Sequence, residues 1–341
     1  MLPTIMPRKA RIDAPGALHH IIVRGIERST IFRDETDCEN FLERLGRLLL
    51  ESSTPCLAWA LMDNHAHLLL RTGLVSLSTL MRRLLTGYAQ QFNRRHHRNG
   101  VLFQNRYKSI LCEEKAYLLE LVRYIHLNPI RAGVVRNMDG LSDYPGCGHG
   151  VLMGKKARDW QDSEYILRFF GRTFGEARRG YQNYVTEGLH RGRRPELVGG
   201  GLIRSAGGWS AIKAERVSGV RLMGDERILG GGDFVESVLL QAQEQYDKKT
   251  NARVKGLDLD VLIGRVVAHL GLEPGVIWSA GRPTQLARAR SLISALAVDY
   301  LGISGREVSS RLSLSPSTVS RLVQRGRRDN LSEKLAGELF K

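Results

Sequence analysis

The sequence predicts an α+β fold: an antiparallel sheet with helices over residues 7–150, then a mostly helical C-terminal region. Three observations carry this. Up to residue 128, short apolar and β-branched runs alternate with helical runs in the order β-α-β-β-α-(β)-α. A two-residue polar turn, Asp63-Asn64, joins two of the strands directly, which only antiparallel neighbours allow. From about residue 233 to the end the periodicity is helical.

"ALHHIIVRG" (17–25) supplies the first strand. "DETDCENFLERLGRLLLESS" (34–53) is an amphipathic helix, with Phe41, Leu42, Leu45, Leu48 and Leu49 at helical spacing. "CLAWALM" (56–62) and "HAHLLLR" (65–71) form the hairpin. A long helix follows at 76–98, then an extended stretch at 100–113. "EKAYLLELVRYIHLN" (114–128) is helical, and Pro129 is expected to stop it. The helices are expected on one face of the sheet. Residues 150–185 are helical and aromatic, whereas 191–232 hold eleven glycines in 42 positions and read as a loop-rich connector. Three segments result: 7–150, a helical and Gly-rich connector at 151–232, and a helical region at 233–341.

The 341 residues carry 51 Lys and Arg against 35 Asp and Glu, a net charge of +16. Such an excess points to a polyanion, either nucleic acid or an acidic membrane surface. No apolar run reaches the roughly 18 residues of a membrane span. The first residues lack the apolar core of a signal peptide. The expectation is a cytoplasmic, nucleoid-associated protein. Four scattered cysteines, Cys38, Cys56, Cys112 and Cys147, include no CxxC pair and read as reduced thiols. "GCGHGVLMGKK" (146–156) has neither the glycine spacing nor the hydroxyl of a P-loop, so no nucleotide site is expected.

Two constellations carry chemistry. In "LMDNHAHLLL" (61–70), His65 and His67 are two apart on a strand and project from one face. Two imidazoles so placed can bind one divalent cation and leave positions open for substrate. The ordinary alternative is a pair of core histidines hydrogen-bonded to neighbours, and spacing alone does not displace it. In "VRYIHLNPIRAG" (122–133), Tyr124 and Asn128 are i and i+4 on a helix and share a face. A tyrosine becomes a nucleophile when proton loss is assisted, and an amide oxygen suits a third ligand position. Periodicity alone is equally satisfied by a buried aromatic and a helix-end asparagine.

Taken together, "DNHAHLLL", "RYIHLNPIRAGVV", "VRGIERSTIF" and "NRYKS" resemble the HUH single-tyrosine transposases, specifically the REP-associated branch, over about residues 7–150. The resemblance implies a ferredoxin/RRM-like sheet. It also implies that His65, His67 and Asn128 hold Mg²⁺ or Mn²⁺, and that Tyr124 is the nucleophile. In other branches the third ligand is often Gln, so Asn128 departs from the commoner pattern. The implied substrate is single-stranded DNA with hairpin repeats, nicked and rejoined through a 5′-phosphotyrosine.

Residues 81–108 contain Arg82, Arg83, Arg94, Arg95, Arg98, Arg106 and Lys108 and no acidic residue, interleaved with Tyr88, Phe92, Phe103 and Tyr107. Cations for phosphates and rings for bases are what a single-strand groove needs. Tyr88 is the rival nucleophile, but Phe92, one turn beyond it, offers no polar partner.

At the C-terminal end, 286–328 has a helix-turn-helix layout. Ser315 is placed to cap a helix beginning at Pro316. That helix is expected to bury Val319 and Leu322 and to expose Ser317, Thr318, Ser320, Arg321 and Arg325 to duplex DNA. From Arg282 to Arg328 nine arginines face two acids, Asp299 and Glu307. The pattern resembles the duplex-binding domain of the DnaA initiator. The expected function is a DNA strand-transfer enzyme, with a homodimer left open. The alternatives are a domesticated DNA-binding regulator and an RNA-processing nuclease.

Overall fold

A computed structural model of the chain describes residues 12, 16–73, 75–192, 194, 197–198, 225, 227–242, 256–279, 284–303 and 305–339. Most of the Gly-rich stretch 191–232, including "GLIRSAGGWSAIKAERVSG", lies outside them. Two units are separated between Glu236 and Ser237. No helix among the described residues is long and apolar enough to cross a membrane.

The first unit is built on five strands: β1 (Leu18–Arg24), β2 (Cys56–Met62), β3 (His65–Arg71), β4 (Lys108–Cys112) and β5 (Ile228–Leu229). Their order is β2-β3-β1-β4-β5. The first four pair antiparallel, and β5 adds in parallel to β4. With α1 (Glu35–Ser52) and α2 (Leu77–Arg95) between them, the first four strands have the split β-α-β connectivity of a ferredoxin-like sheet.

The sheet is covered on both faces, not on one. Every residue of β2 is buried, as a strand between two apolar layers must be. Ile21, Val23, Trp59, Leu61, Ala66, Leu68 and Leu70 share one core with α1 and α2. Leu18, Ala58, Ala60, Met62, Leu69, Ile110 and Cys112 belong to a second core under α3 (Glu114–Arg131). Strands without polar–apolar alternation need a second cover, and α3 with the helices after it supplies one.

Helix α1 starts where the Asp34 side chain accepts from Asp37 N–H, and ends at Ser53 in the left-handed region. Asp37 itself is buried and accepts from Arg95 at 2.6 Å and from His96 at 2.8 Å, tying α1 to the end of α2.

Pro129 does not stop α3. The helix continues to Arg131, and Ala132 N–H closes on Asn128 O before Gly133 takes a positive φ. Proline removes one donor but leaves the last turn closable when a residue in the left-handed region follows.

Four further helices, α4 (Met138–Asp143), α5 (His149–Leu152), α6 (Ser163–Leu167) and α7 (Phe174–Glu187), complete the cover. Leu141, Leu152, Ile166, Leu167, Tyr181 and Val185 join the α3 core, so residues 163–187 of the segment read as a connector are part of the first unit. Tyr181 Oη lies 2.7 Å from His126 Nδ1 and 2.8 Å from His149 Nδ1, all three residues buried.

The second unit contains α8 (Leu259–His269), α9 (Thr284–Asp299), α10 (Gly305–Arg311), α11 (Pro316–Arg327) and α12 (Asn330–Leu339). Its core gathers Ile263, Val266, Leu292, Ile293, Leu296, Val308, Leu312, Val319 and Val323. Ser315 caps α11 through Thr318 N–H, with Pro316 in the first turn. The buried stripe is Val319, Val323 and Gly326; Leu322 is only half-buried. A spacing of four and then three keeps that stripe on one side, whereas Leu322 lies one residue off it.

Gly326 allows α11 to approach α9 closely, because a Cβ there would lie 2.2 Å from Ser291 O. Gly326→Ala is expected to destabilise the second unit by about 1–3 kcal/mol through overpacking. Chemical denaturation of the full chain, followed by a probe in the second unit, measures this. Wild-type stability would remove the close-approach argument.

Candidate active site

The two-sided sheet decides where the histidines go. Ala66 points into the α1–α2 core, so His65 and His67 face α3. Their ring centroids are 5.2 Å apart. The neighbour of His67 across the β2 pairing is Ala60, whose methyl leaves room for the imidazole.

Helix α3 brings Tyr124 to the same place. Its ring centroid lies 5.8 Å from that of His67, at an interplanar angle of 81°. Asn128, one turn further on the same stripe, is buried, and its Nδ2 has no hydrogen-bond partner among the described residues.

His20 is a third histidine at the site, absent from the reading of the sequence. It lies diagonally across from His67 on β1, with its ring 5.1 Å from His67 and 6.0 Å from Tyr124. The signal was present in "ALHHIIVRG", because alternation puts one of its two histidines on each face. Only the β1–β3 register identifies which one meets His67.

The hydrogen bonds assign the tautomers. His20 Nδ1 lies 3.3 Å from Leu197 O, and a carbonyl only accepts, so that nitrogen carries the proton. His20 Nε2 therefore presents a lone pair and accepts from His67 Nδ1–H at 2.8 Å. This leaves the lone pair of His67 on Nε2. His65 Nδ1–H donates to Asn64 Oδ1 at 2.6 Å, with the same consequence. Both rings thus have Nδ1 held by an outer partner and Nε2 left as a donor atom, the arrangement of metal-binding imidazoles.

Electrostatics favour the neutral rings this chemistry needs. Burial lowers His65 to about 4, with Arg24 adding to the effect and Asp63 opposing it. Burial, then His20, His65 and Arg24, hold His67 well below its ordinary value. His20 is lowered to about 4, chiefly by burial. Neutral imidazoles compete for cations without first losing a proton. No group of three or more His, Cys, Asp or Glu suited to a metal occurs among the described residues. Two imidazoles stand together on this face, and Asn128 adds a buried amide on the facing stripe of α3.

Tyr88 is excluded as a rival. It is buried in the opposite core against Phe32, Phe41, Phe92 and Phe103, and its hydroxyl donates to Ile31 O. Burial pushes its pKa far up.

The basic run of 81–108 is divided by the fold. Arg82, Arg83, Arg94 and Arg95 ride on α2, on the face of the sheet opposite the histidines. Arg83 pairs with Glu51, and Arg95 with Asp34 and Asp37. Arg98 bonds Asn93, and Arg106 is exposed. Lys108 shares the face of His20 and donates to Val198 O. Tyr88, Phe92 and Phe103 are core residues and offer no stacking surface. On α11, Ser317, Arg321 and Arg325 are exposed, whereas Thr318 and Ser320 are half-buried.

Residues 15–128 match the family model described as Transposase IS200 like. The chain is similar to a REP-associated tyrosine transposase solved bound to a REP hairpin, at 18% identity and a TM-score of 0.36. That match spans 46% of this chain and 91% of that one. It is also similar to a transposase-like protein of Deinococcus radiodurans R1, at 19% identity and a TM-score of 0.26, over 35% and 95% of the two chains. Neither likeness is strong enough to carry an argument. No curated protein matches the chain. The family match covers all four antiparallel strands, the histidine pair and the helix facing it as far as Asn128: residues 15–128 form an IS200-like transposase domain.

Proposed function

We propose that the chain nicks and rejoins single-stranded DNA at hairpin-like repeats, with Tyr124 as nucleophile. The observation that carries this reading is the Tyr124 ring, 5.8 Å from His67 on the face where two neutral imidazoles present Nε2. His65, His67 and Asn128 are the residues to hold one divalent cation, Mg²⁺ or Mn²⁺. Such an ion, when bound, supplies Lewis-acid stabilisation of charge on a phosphate oxygen.

The remaining steps belong to the chain itself. Tyr124 Oη loses its proton to solvent and attacks phosphorus. The new O–P bond replaces the bond to the 3′ oxygen, which takes up a proton and leaves as a free hydroxyl. A second strand's 3′ hydroxyl reverses the exchange and restores the phenol. Phosphodiester energy is kept in the 5′-phosphotyrosine, so rejoining consumes no nucleotide. His20 acts behind His67 by fixing its tautomer. In the second unit, Ser317, Thr318, Ser320, Arg321 and Arg325 on α11 are proposed to contact duplex DNA. Arg82, Arg83, Arg94, Arg95, Arg98, Arg106 and Lys108 are proposed as phosphate contacts for the substrate strand. Arg83 and Arg95 would then have to exchange carboxylate partners for phosphate.

A labelled pool of single-stranded hairpin oligonucleotides with randomised flanks, incubated with Mn²⁺, tests the enzyme reading. A covalent protein–DNA adduct is expected from the wild type and none from Tyr124→Phe. Binding without an adduct assigns a DNA-binding regulator instead, and cleavage of RNA alone assigns an RNA nuclease. His20→Ala is expected to weaken Mn²⁺ binding about 10–100-fold, measured by calorimetry without DNA. Unchanged affinity would remove His20 from the site. Arg321→Ala and Arg325→Ala are each expected to reduce the salt dependence of duplex binding by about one unit of slope. An unaltered slope would free α11 of that role.

A further inference from the structure

The site-facing stripe of α3 does not end at Asn128. Arg131 follows three residues later, so Tyr124, Asn128 and Arg131 lie along one side of the helix. The guanidinium carbon of Arg131 is 5.5 Å from the Tyr124 ring centroid. Its Nη2 donates to Gly188 O at 3.3 Å, which tethers one end of the group. Its Nη1 is buried and has no hydrogen-bond partner among the described residues.

The neighbouring arginines behave differently. Arg123, Arg191 and Arg194 all converge on Glu120. Arg131 makes no ion pair among the described residues. Burial works against its charge, while Tyr124 works in its favour. A half-buried guanidinium with an unused donor is costly to keep, and a carboxylate partner or an apolar replacement would relieve that cost. The fork lies beside the phenol whose attack creates charge on phosphate oxygens, and arginine matches that geometry with two parallel donors.

We propose that Arg131 is a catalytic residue of the strand-transfer site, its Nη1–H donating to a non-bridging oxygen of the phosphate that Tyr124 attacks. This rests on Tyr124 being the nucleophile. During the step the Tyr124 O–P bond forms and the P–O3′ bond breaks. The phenol's proton goes to solvent, and the 3′ oxygen takes one up. Arg131 stays protonated throughout and transfers nothing; it neutralises charge that grows on the oxygen.

The test uses the full chain and one hairpin oligonucleotide taken from the adduct-forming pool. Its scissile position carries either the normal phosphate or one of the two stereoisomeric methylphosphonates, each of which replaces one non-bridging oxygen. Arg131→Met is expected to slow single-turnover adduct formation about 10²-fold while changing oligonucleotide binding less than about threefold, as a transition-state contact does. Its melting temperature is expected to hold or rise, because a half-buried charge with an unused buried donor is removed. One methylphosphonate isomer is expected to slow the wild type by a similar factor and to slow Arg131→Met no further. The other isomer should act additively with the substitution.

Additive effects with both isomers overturn the assignment, as does a melting temperature that falls in step with the rate. Binding that weakens as much as the rate overturns it too. Each of these leaves the Tyr124 adduct of the wild type intact. A wild type that forms no adduct on any member of the pool overturns the Tyr124 reading first, and the Arg131 assignment with it.

Discussion

Burial of both faces of one sheet is the constraint from which the site follows. A strand has two sides, and β3 uses them for different purposes. Ala66, Leu68 and Leu70 enter one core, while His65, His67 and Leu69 turn to the other. Because α3 closes the second side, the imidazoles cannot rely on bulk water and must find partners. His67 finds His20, His20 finds a backbone carbonyl, and His65 finds Asn64. The terminal carbonyl accepts only, so proton positions are dictated outward-in along the chain. The lone pairs left over sit on Nε2 of His65 and His67, and the Tyr124 ring packs beside His67. Orientation of the site is thus a consequence of satisfying buried polar groups, not a separate feature added to the fold.

Much of this could be read from the sequence. The strand and helix order was legible because each element carries its own period. "CLAWALM" and "HAHLLLR" could be read as a hairpin from a two-residue turn alone. The pairing of His65 with His67 needed only the alternation of a strand, and that of Tyr124 with Asn128 only the turn of a helix. What a single sequence does not carry is register. His20 and His19 are adjacent letters, yet one meets His67 and the other meets Ser109 on the far side. The second cover of the sheet was hidden for a related reason. A strand buried on both faces shows no polar side, and nothing in β2 says which helix lies over which face. Pro129 misled as a terminator because a helix can accept proline in its final turn when a glycine in the left-handed region follows. Leu322 misled by one residue, the difference between a stripe of four-then-three and one of three-then-three.

The buried face of α3 also shows how the domain spends its polar groups. His126 lies between Tyr124 and Asn128 in sequence but points to the opposite neighbours, where Tyr181 joins it to His149. Burial lowers His149 to about 4 and holds His126 well below its ordinary value, so this cluster is neutral and ties α3 to α5 and α7 by hydrogen bonds rather than ion pairs. On the outer side, Glu120 is surrounded by three arginines. Burial raises its pKa, but Arg123, Arg194 and Arg191 outweigh that and hold it below its ordinary value. The helix that carries the proposed nucleophile is therefore clamped by neutral contacts inward and by an ion-pair cluster outward. A rigidly held phenol gains reactivity from placement, since a misplacement of about 1 Å can cost about 10²-fold in rate.

Net charge is a poorer guide than the distribution of charge that has no partner. The sequence holds a surplus of +16, yet many of its cations are already answered. Arg83 faces Glu51, Arg95 faces Asp34 and Asp37, Arg288 faces Asp329, Arg311 faces Asp260, and Arg327 faces Asp299. A polyanion gains little from such residues unless they release their carboxylates. Arg82, Arg94 and Arg106 in the first unit, and Arg321 and Arg325 in the second, make no ion pair among the described residues and are exposed. In water each costs the fold almost nothing, because an exposed charge is well solvated. Each remains free to displace a counterion from a phosphate, the event from which salt-dependent affinity arises. Arg321 and Arg325 are one helical turn apart on the side of α11 opposite Val319, Val323 and Gly326. The same periodicity that buries one side of that helix against α9 therefore aligns its unpaired cations on the other. Packing thus sets the direction in which the charge is presented.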